Sequence, residues 1–129
     1  MTHAAQSTFP RLEFWRAFSD ERFVLPRCSA CGAWQSYGAR ACAACGSGGL
    51  EWRDASGEGS VYSLMERYAQ AGAERVLHVV VLQLDEGPLV MGAAYAPAGA
   101  LRPGARVSAL VGEAAVEGLP LFGVSPGAG

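Results

Sequence analysis

Lysine is absent from this sequence: all ten basic residues are arginine. A lysine Schiff base or lysine nucleophile is therefore excluded, and any phosphate contact has to come from arginine, backbone amides or hydroxyls. Long apolar runs are missing as well. The longest, Val76 to Leu84, is interrupted by His78 and Gln83 and falls well short of a bilayer span. Met1 to Thr8 is small and polar, without the apolar stretch of a secretory leader. A soluble, cytoplasmic protein with no membrane contact is the expectation. Nor is there a Gly-x-Ser-x-Gly elbow or a strand–loop–helix phosphate loop. Of the two histidines, His3 lies in the leading tail and His78 has no acid or nucleophile at a telling spacing, so His78 reads as structural. Glu66 falls on an expected strand, but one carboxylate is not a mechanism. Asp85 and Glu86 fall in an expected hairpin turn and read as a solvated pair. No catalytic residue is assigned. Excess charge is missing too. The formal net charge is −2 and the pI about 5.6, which argues against a binder that works by broad phosphate neutralisation.

What the sequence does hold is concentrated between Cys28 and Gly46. Its four cysteines form Cys28-Ser29-Ala30-Cys31-Gly32 and Cys42-Ala43-Ala44-Cys45-Gly46, with ten residues, Gly32 to Ala41, between the pairs. Two Cys-x-x-Cys pairs at this spacing supply four thiolates to one tetrahedral metal. The glycine after each pair suits a tight turn whose next residue takes positive φ. A structural zinc ribbon is the leading reading, and a rubredoxin-like iron site uses the same four sulfurs. Two disulfides would suit a secreted chain, and a thioredoxin-type redox pair would need only one of the two motifs. Four sulfurs leave no coordination position open, so a metal at Cys28, Cys31, Cys42 and Cys45 holds structure and performs no chemistry.

The 129 residues suit one ordinary domain, and half are hydrophobic, which calls for a folded core. Ser7 or Thr8 can cap a helix from about Pro10 to Ser19, where Leu12/Trp15 and Phe14/Phe18 make an aromatic stripe. The stripe packs either on its own domain or against a partner. Phe23 to Arg27 leads into the ribbon as a strand, and Trp34 and Tyr37 between the cysteine pairs are expected to cover the metal or pack the ribbon's small core. The stretch from Gly46 to Gly49 reads as a flexible joint, and Trp52 as an anchor between the ribbon and the C-terminal strands. From Gly57 on, short runs rich in valine, leucine and tyrosine are punctuated by glycine and proline. They predict strands at about Gly59–Tyr68, Val76–Asp85, Leu89–Ala96, Arg106–Gly112 and Val116–Val124. Ala69 to Glu74 should be a loop, Asp85 to Pro88 a hairpin turn, and Pro97 to Pro103 a longer link with a helical turn. Five strands with the long link between the third and fourth fit a small OB-type barrel. On the second strand, Val76, His78, Val80, Leu82 and Leu84 share one face. Leu77, Val79, Val81 and Gln83 share the other, which needs a cover from the helix, the ribbon or another protein. The fold class is thus mainly β: residues 1–22 a tail and N-terminal helix, 23–53 a zinc ribbon, 54–124 a five-stranded OB-fold barrel, and 125–129 a disordered tail.

One order of motifs runs through the chain. Phe14-Trp15 is followed by the two Cys-x-x-Cys-Gly knuckles, Leu50-Glu51-Trp52, Gly57-Glu58-Gly59-Ser60-Val61-Tyr62 and Leu84-Asp85-Glu86-Gly87. Leu101-Arg102-Pro103-Gly104-Ala105-Arg106-Val107 and Leu119-Pro120-Leu121-Phe122 complete it. Over residues 9 to 124 this resembles the family that joins a rubredoxin-like zinc ribbon to an OB-fold, long labelled a domain of unknown function. The resemblance implies an acyl-CoA-associated accessory subunit. Such subunits accompany thiolase-like enzymes, including lipid-transfer-protein-type thiolases and aldolases of steroid side-chain breakdown, and acyltransferases of polyketide-like pathways. It carries over the four cysteines as ligands of structural Zn2+ and no catalytic residue; the CoA-binding residues stay unknown. One departure concerns the segment before the second strand, which usually opens with a proline and an aromatic but here reads Glu74-Arg75-Val76-Leu77. That leaves the substrate open.

Two other function classes stay in view. A nucleic-acid-binding OB module would use Arg67, Tyr68, Arg75 and Tyr95 on one barrel face, against the acidic balance of the chain. A free-standing CoA carrier would bind its ligand without a partner.

Overall fold

The computed structural model describes residues 9–67 and 74–124. The proposed cap at Ser7 or Thr8, His3, Tyr68, most of the expected 69–74 loop and the 125–129 tail lie outside them. One helix, α1 (Leu12–Ser19), precedes a two-stranded antiparallel sheet of β1 (Val24–Cys28) and β2 (Leu50–Asp54). The rest is an antiparallel sheet of β3 (Glu58–Arg67), β4 (Val76–Leu84), β5 (Leu89–Ala96), β6 (Arg106–Ala109) and β7 (Phe122–Val124) in the order β5-β4-β3-β6-β7. Its ends meet where the Ala93 amide donates to the Pro120 carbonyl at 2.9 Å beside a parallel bridge between Ala93 and Leu121. The mainly β fold, one helix and a five-stranded near-barrel, is the expected one.

Inside the barrel, β4 presents His78, Val80, Leu82 and Leu84, all buried, and β3, β5 and β6 add Val61, Val90 and Val107. The opposite face of β4 (Leu77, Val79, Val81) is only half-buried, as alternation along a strand demands. Gly92 on β5 is required by packing. A Cβ there would sit 2.7 Å from the ring of Phe122, which fills the space against the strand. The hairpin between β4 and β5 turns on Gly87 at φ 124, with the Gly87 amide bonded to the Leu84 carbonyl at 2.9 Å.

Several elements differ from expectation for identifiable reasons. The helix starts at Leu12, two residues late, because Arg11 is held extended (ψ 163) by its amide bond to the Tyr37 carbonyl. That start is set by a long-range bond and not by a local cap. The last two strands are shorter than expected. Beyond Ala109 the chain turns through Gly112 at φ 89, and Glu117 and Gly118, both at positive φ, fold Val116 back on Leu119. The link after β5 makes a turn closed by the Ala100 amide on the Pro97 carbonyl, with no helix. The supposed joint from Gly46 to Gly49 is tied down: the Gly49 carbonyl accepts both the Ser29 amide and the Ser29 hydroxyl, each at 2.9 Å.

An aromatic chain joins the parts. Phe14 lies fully buried with ring centroids of Phe18, Phe23 and Tyr37 at 5.4, 5.4 and 5.1 Å. Phe23 in turn meets Phe122 of the barrel at 6.1 Å. Phe14 and Phe18 thus face their own domain. Trp52 is half-buried against the same core under the Arg11 guanidinium. Tyr37 packs in a core, as one of its two expected roles required, but the core is shared with the helix and the barrel and is not the ribbon's own. The Tyr37 hydroxyl donates to the Met91 carbonyl and accepts the Met91 amide at 3.0 Å, clipping the ribbon to β5. Removing that hydroxyl strands two backbone groups away from water. Tyr37→Phe is expected to lower stability by about 1–3 kcal/mol in a denaturant titration; an unchanged midpoint would show that the clip is idle.

Candidate metal centre

The two knuckles are built alike. In each, the glycine amide donates to the first cysteine's carbonyl at 2.8 Å (Gly32 to Cys28, Gly46 to Cys42), and each glycine sits at φ 81. This is the turn that the sequence called for, and only glycine adopts that φ without strain. The turn aims amides at sulfur: those of Ala44 and Cys45 reach Cys42 Sγ at 3.3 and 3.4 Å. β1 carries Cys28 at its end and β2 begins at Leu50, so their pairing brings the two knuckles face to face.

All four sulfurs lie within 4.8 Å of one another, with Cys28–Cys45 and Cys31–Cys42 at 3.6 Å. Sulfurs about 2.3 Å from a central zinc stand about 3.8 Å apart at tetrahedral corners. The cage therefore fits a structural zinc ion, and its four thiols are free. Cys28 and Cys42 are buried, whereas Cys31 and Cys45 reach the surface. Electrostatics point the same way. The Cys31 amide, helped by that of Ala30, holds the Cys28 thiol down to about 6 against the effect of burial. The Cys45 amide and then that of Ala44 lower Cys42. At Cys45 the Ser47 amide works downward, but the crowding sulfurs of Cys28 and Cys42 push the thiol up to about 12. Four sulfurs this close cannot all ionise without a cation among them, and a dication resolves the conflict.

Gln35 completes the site and was not anticipated. It is buried, donates through Nε2 to Cys42 Sγ at 3.3 Å and accepts the Ala43 amide on Oε1 at 3.0 Å. It thereby fixes the second knuckle from outside the ligand set. No spacing rule marks it; only the fold brings it there. Trp34 lies under the Arg27 guanidinium at 5.4 Å, and Arg27 Nε donates to the Gly32 carbonyl at 2.9 Å.

Elsewhere the fold supplies partners that spacing did not show. His78 does have an acid partner. Glu66 lies directly opposite it across β3 and β4, with Nε2 and Oε2 3.1 Å apart. The same carboxylate oxygen accepts the Gly99 amide at 2.5 Å, tying the link after β5 to the barrel. Asp85 and Glu86 sit in the solvent-facing hairpin turn as expected, and each is also paired. Asp85 takes a two-pronged bond from Arg106, both contacts at 2.8 Å, and Glu86 accepts the Ser56 amide at 2.7 Å. The nucleic-acid candidates are only partly brought together. Arg67 and Tyr95 flank Leu77 on the outer face, but Arg67 is held by Glu117 at 2.7 Å, Arg75 donates to the Tyr95 carbonyl at 2.9 Å, and Tyr68 lies outside the described residues.

The Gly99 amide and then His78 lower the Glu66 carboxyl below its ordinary value. A depressed folded value means that this carboxylate stabilises the fold fully above the ordinary glutamate range, about pH 4.3, and stops doing so as pH falls through the lower folded value. Thermal midpoints taken from pH 6 downward are expected to fall less steeply for Glu66→Gln than for the parent chain in that acid window. Parallel curves would remove the link between Glu66 and the fold.

Similarity to known proteins fits this geometry. The family model described as the rubredoxin-like zinc ribbon domain of ChsH2 matches residues 15–51, and that of the ChsH2 C-terminal OB-fold domain matches residues 52–112. Among solved structures, one titled Ltp2-ChsH2(DUF35) aldolase is similar at 24% identity and a TM-score of 0.66, covering 87% of this chain and 91% of the other. A DUF35 protein of unknown function from Sulfolobus solfataricus is similar at 14% identity and a TM-score of 0.64, covering 88% of this chain and 83% of that one. No curated protein matches the chain. Among the described residues no helix is long and apolar enough to cross a membrane.

Proposed function

The chain belongs to the ChsH2/DUF35-type family that joins a zinc ribbon to an OB-fold, and from that premise we propose that it is a non-catalytic accessory subunit of a thiolase-like enzyme. The partner is a lipid-transfer-protein-type thiolase or aldolase in steroid or fatty-acid side-chain degradation, in a cytoplasmic hetero-oligomer. The barrel helps to form the partner's acyl-CoA channel, and nucleic acid is not a ligand. Cys28, Cys31, Cys42 and Cys45 ligate the structural zinc. The division into 1–22, 23–53, 54–124 and 125–129 is part of the same proposal.

The observation that carries the reading is the end-to-end likeness to the solved chain whose title names an aldolase together with ChsH2. Two features support it. A four-sulfur cage has no position left for substrate. The outer barrel face also presents Leu77, Val79 and Val81 beside an exposed Met65, apolar surface of the kind a partner covers. Co-expression with a lipid-transfer-protein-type thiolase or aldolase is the test. The pair should co-purify, and the partner should lose most of its activity or solubility without this chain. A partner that is soluble and fully active alone would overturn the proposal. Elemental analysis of the purified complex separates zinc from iron.

A further inference from the structure

At the barrel end away from the ribbon's Tyr37 clip, a cavity of about 470 Å³ opens between the start of β4, the end of β5 and the link after β5. That is within the range of small-molecule sites, roughly 300–1,000 Å³. Its walls are apolar and mostly small: Ala96, Pro97, Leu101 and Ala105, with Tyr95 at one side. Two charged side chains, Arg75 and Glu74, line it among the described residues. Arg75 is anchored by Nη2 on the Tyr95 carbonyl at 2.9 Å and makes no ion pair with a described carboxylate. A guanidinium held by one nitrogen keeps the rest of its planar fork for a carboxylate. The wall opposite is itself braced, since Glu66 holds Gly99 of the same link.

We infer that this cavity binds an apolar monocarboxylate: the hydrocarbon lies along Ala96, Leu101 and Ala105, and the carboxylate meets Arg75. One cation, opposed by Glu74 beside it, can hold one carboxylate at most. It does not match the several phosphate charges of a CoA nucleotide, which would call for a cluster of cations. The site therefore goes beyond the proposed role at a partner's thioester channel and does not depend on the partner.

The test is calorimetric titration of the full metal-loaded chain with decanoate below its micelle concentration, with decanol, decyltrimethylammonium and CoA as the comparison probes. Decanoate should bind at one site, and decanol about tenfold or more weaker, because it lacks the charge-assisted bond. The cationic amphiphile and CoA should not compete. Arg75→Gln should weaken decanoate about tenfold or more while leaving decanol unchanged, and Glu74→Gln should tighten decanoate by removing the like charge. Ala100→Trp, on an exposed lining position, should abolish binding with the thermal midpoint intact. Equal affinity for decanoate and decanol, a decanoate affinity indifferent to Arg75→Gln, or CoA displacing decanoate would each overturn the assignment. Because the isolated chain is used, failure here leaves the partner reading standing, and failure of the partner reading leaves this site standing.

Discussion

Cys42→Ser is expected to empty the metal site and to loosen the two knuckles while the barrel stays folded. Cys42 is the sulfur most heavily supported by the fold, taking bonds from Gln35 and from the amides of Ala44 and Cys45. A serine hydroxyl is not ionised at neutral pH and cannot replace the thiolate, so the cage drops to three ligands. Structural zinc contributes about 10–16 kcal/mol in small zinc-finger peptides, and the two knuckles depend on it more than β1 does, whose Leu25 is buried in the core shared with the helix and the barrel. Metal content should fall from about one ion per chain to below about a tenth of that. Amide exchange over residues 28–50 should rise toward unprotected rates, while β3 to β5 remain protected. A strong chelator applied to the parent chain should reproduce the pattern. Full metal content with unchanged exchange would show that the cage is held without the ion.

The metal site was legible because its information is local. Each knuckle is complete in five residues, and the glycines at Gly32 and Gly46 adopt the positive φ that the turn needs. The face assignment along Val76 to Leu84 was equally local, since alternation alone decides it, and the structure buries His78, Val80, Leu82 and Leu84 of that set, with Val76 half-buried at the strand's start. What escaped is whatever depends on register or long-range closure. His78 and Glu66 are twelve positions apart and meet only because β3 and β4 pair with that offset. The bulge between Val61 and Ser63 shifts the register further. Gln35 and Tyr37 sit two residues apart in one loop, yet one serves Cys42 and the other serves Met91. Hydrophobicity and spacing do not separate those two fates. The helix start depends on the Tyr37 carbonyl, a partner far along the chain.

Phe14→Ala should be the most damaging change outside the metal site, because Phe14 is where helix, ribbon and barrel share one core. Its ring is fully buried and touches Trp15, Phe18, Phe23 and Tyr37. Truncation leaves a cavity that a rigid aromatic surround cannot fill, and such changes cost about 3–5 kcal/mol. Against a total of about 5–15 kcal/mol for a domain, that amounts to roughly 10–20 °C in the thermal midpoint. Leu12→Ala, on the same helix but 61% exposed, is the matched control and should change stability by no more than about 0.5 kcal/mol. The contrast decides what the helix is for. A large loss at Phe14 with none at Leu12 means that the inner face belongs to this chain's core, while the outer face with Leu12 is free for another protein to cover. Small, equal losses would mean that the helix is only laid against the domain. The path from Phe14 through Phe23 to Phe122 would then no longer explain how ribbon and barrel hold together.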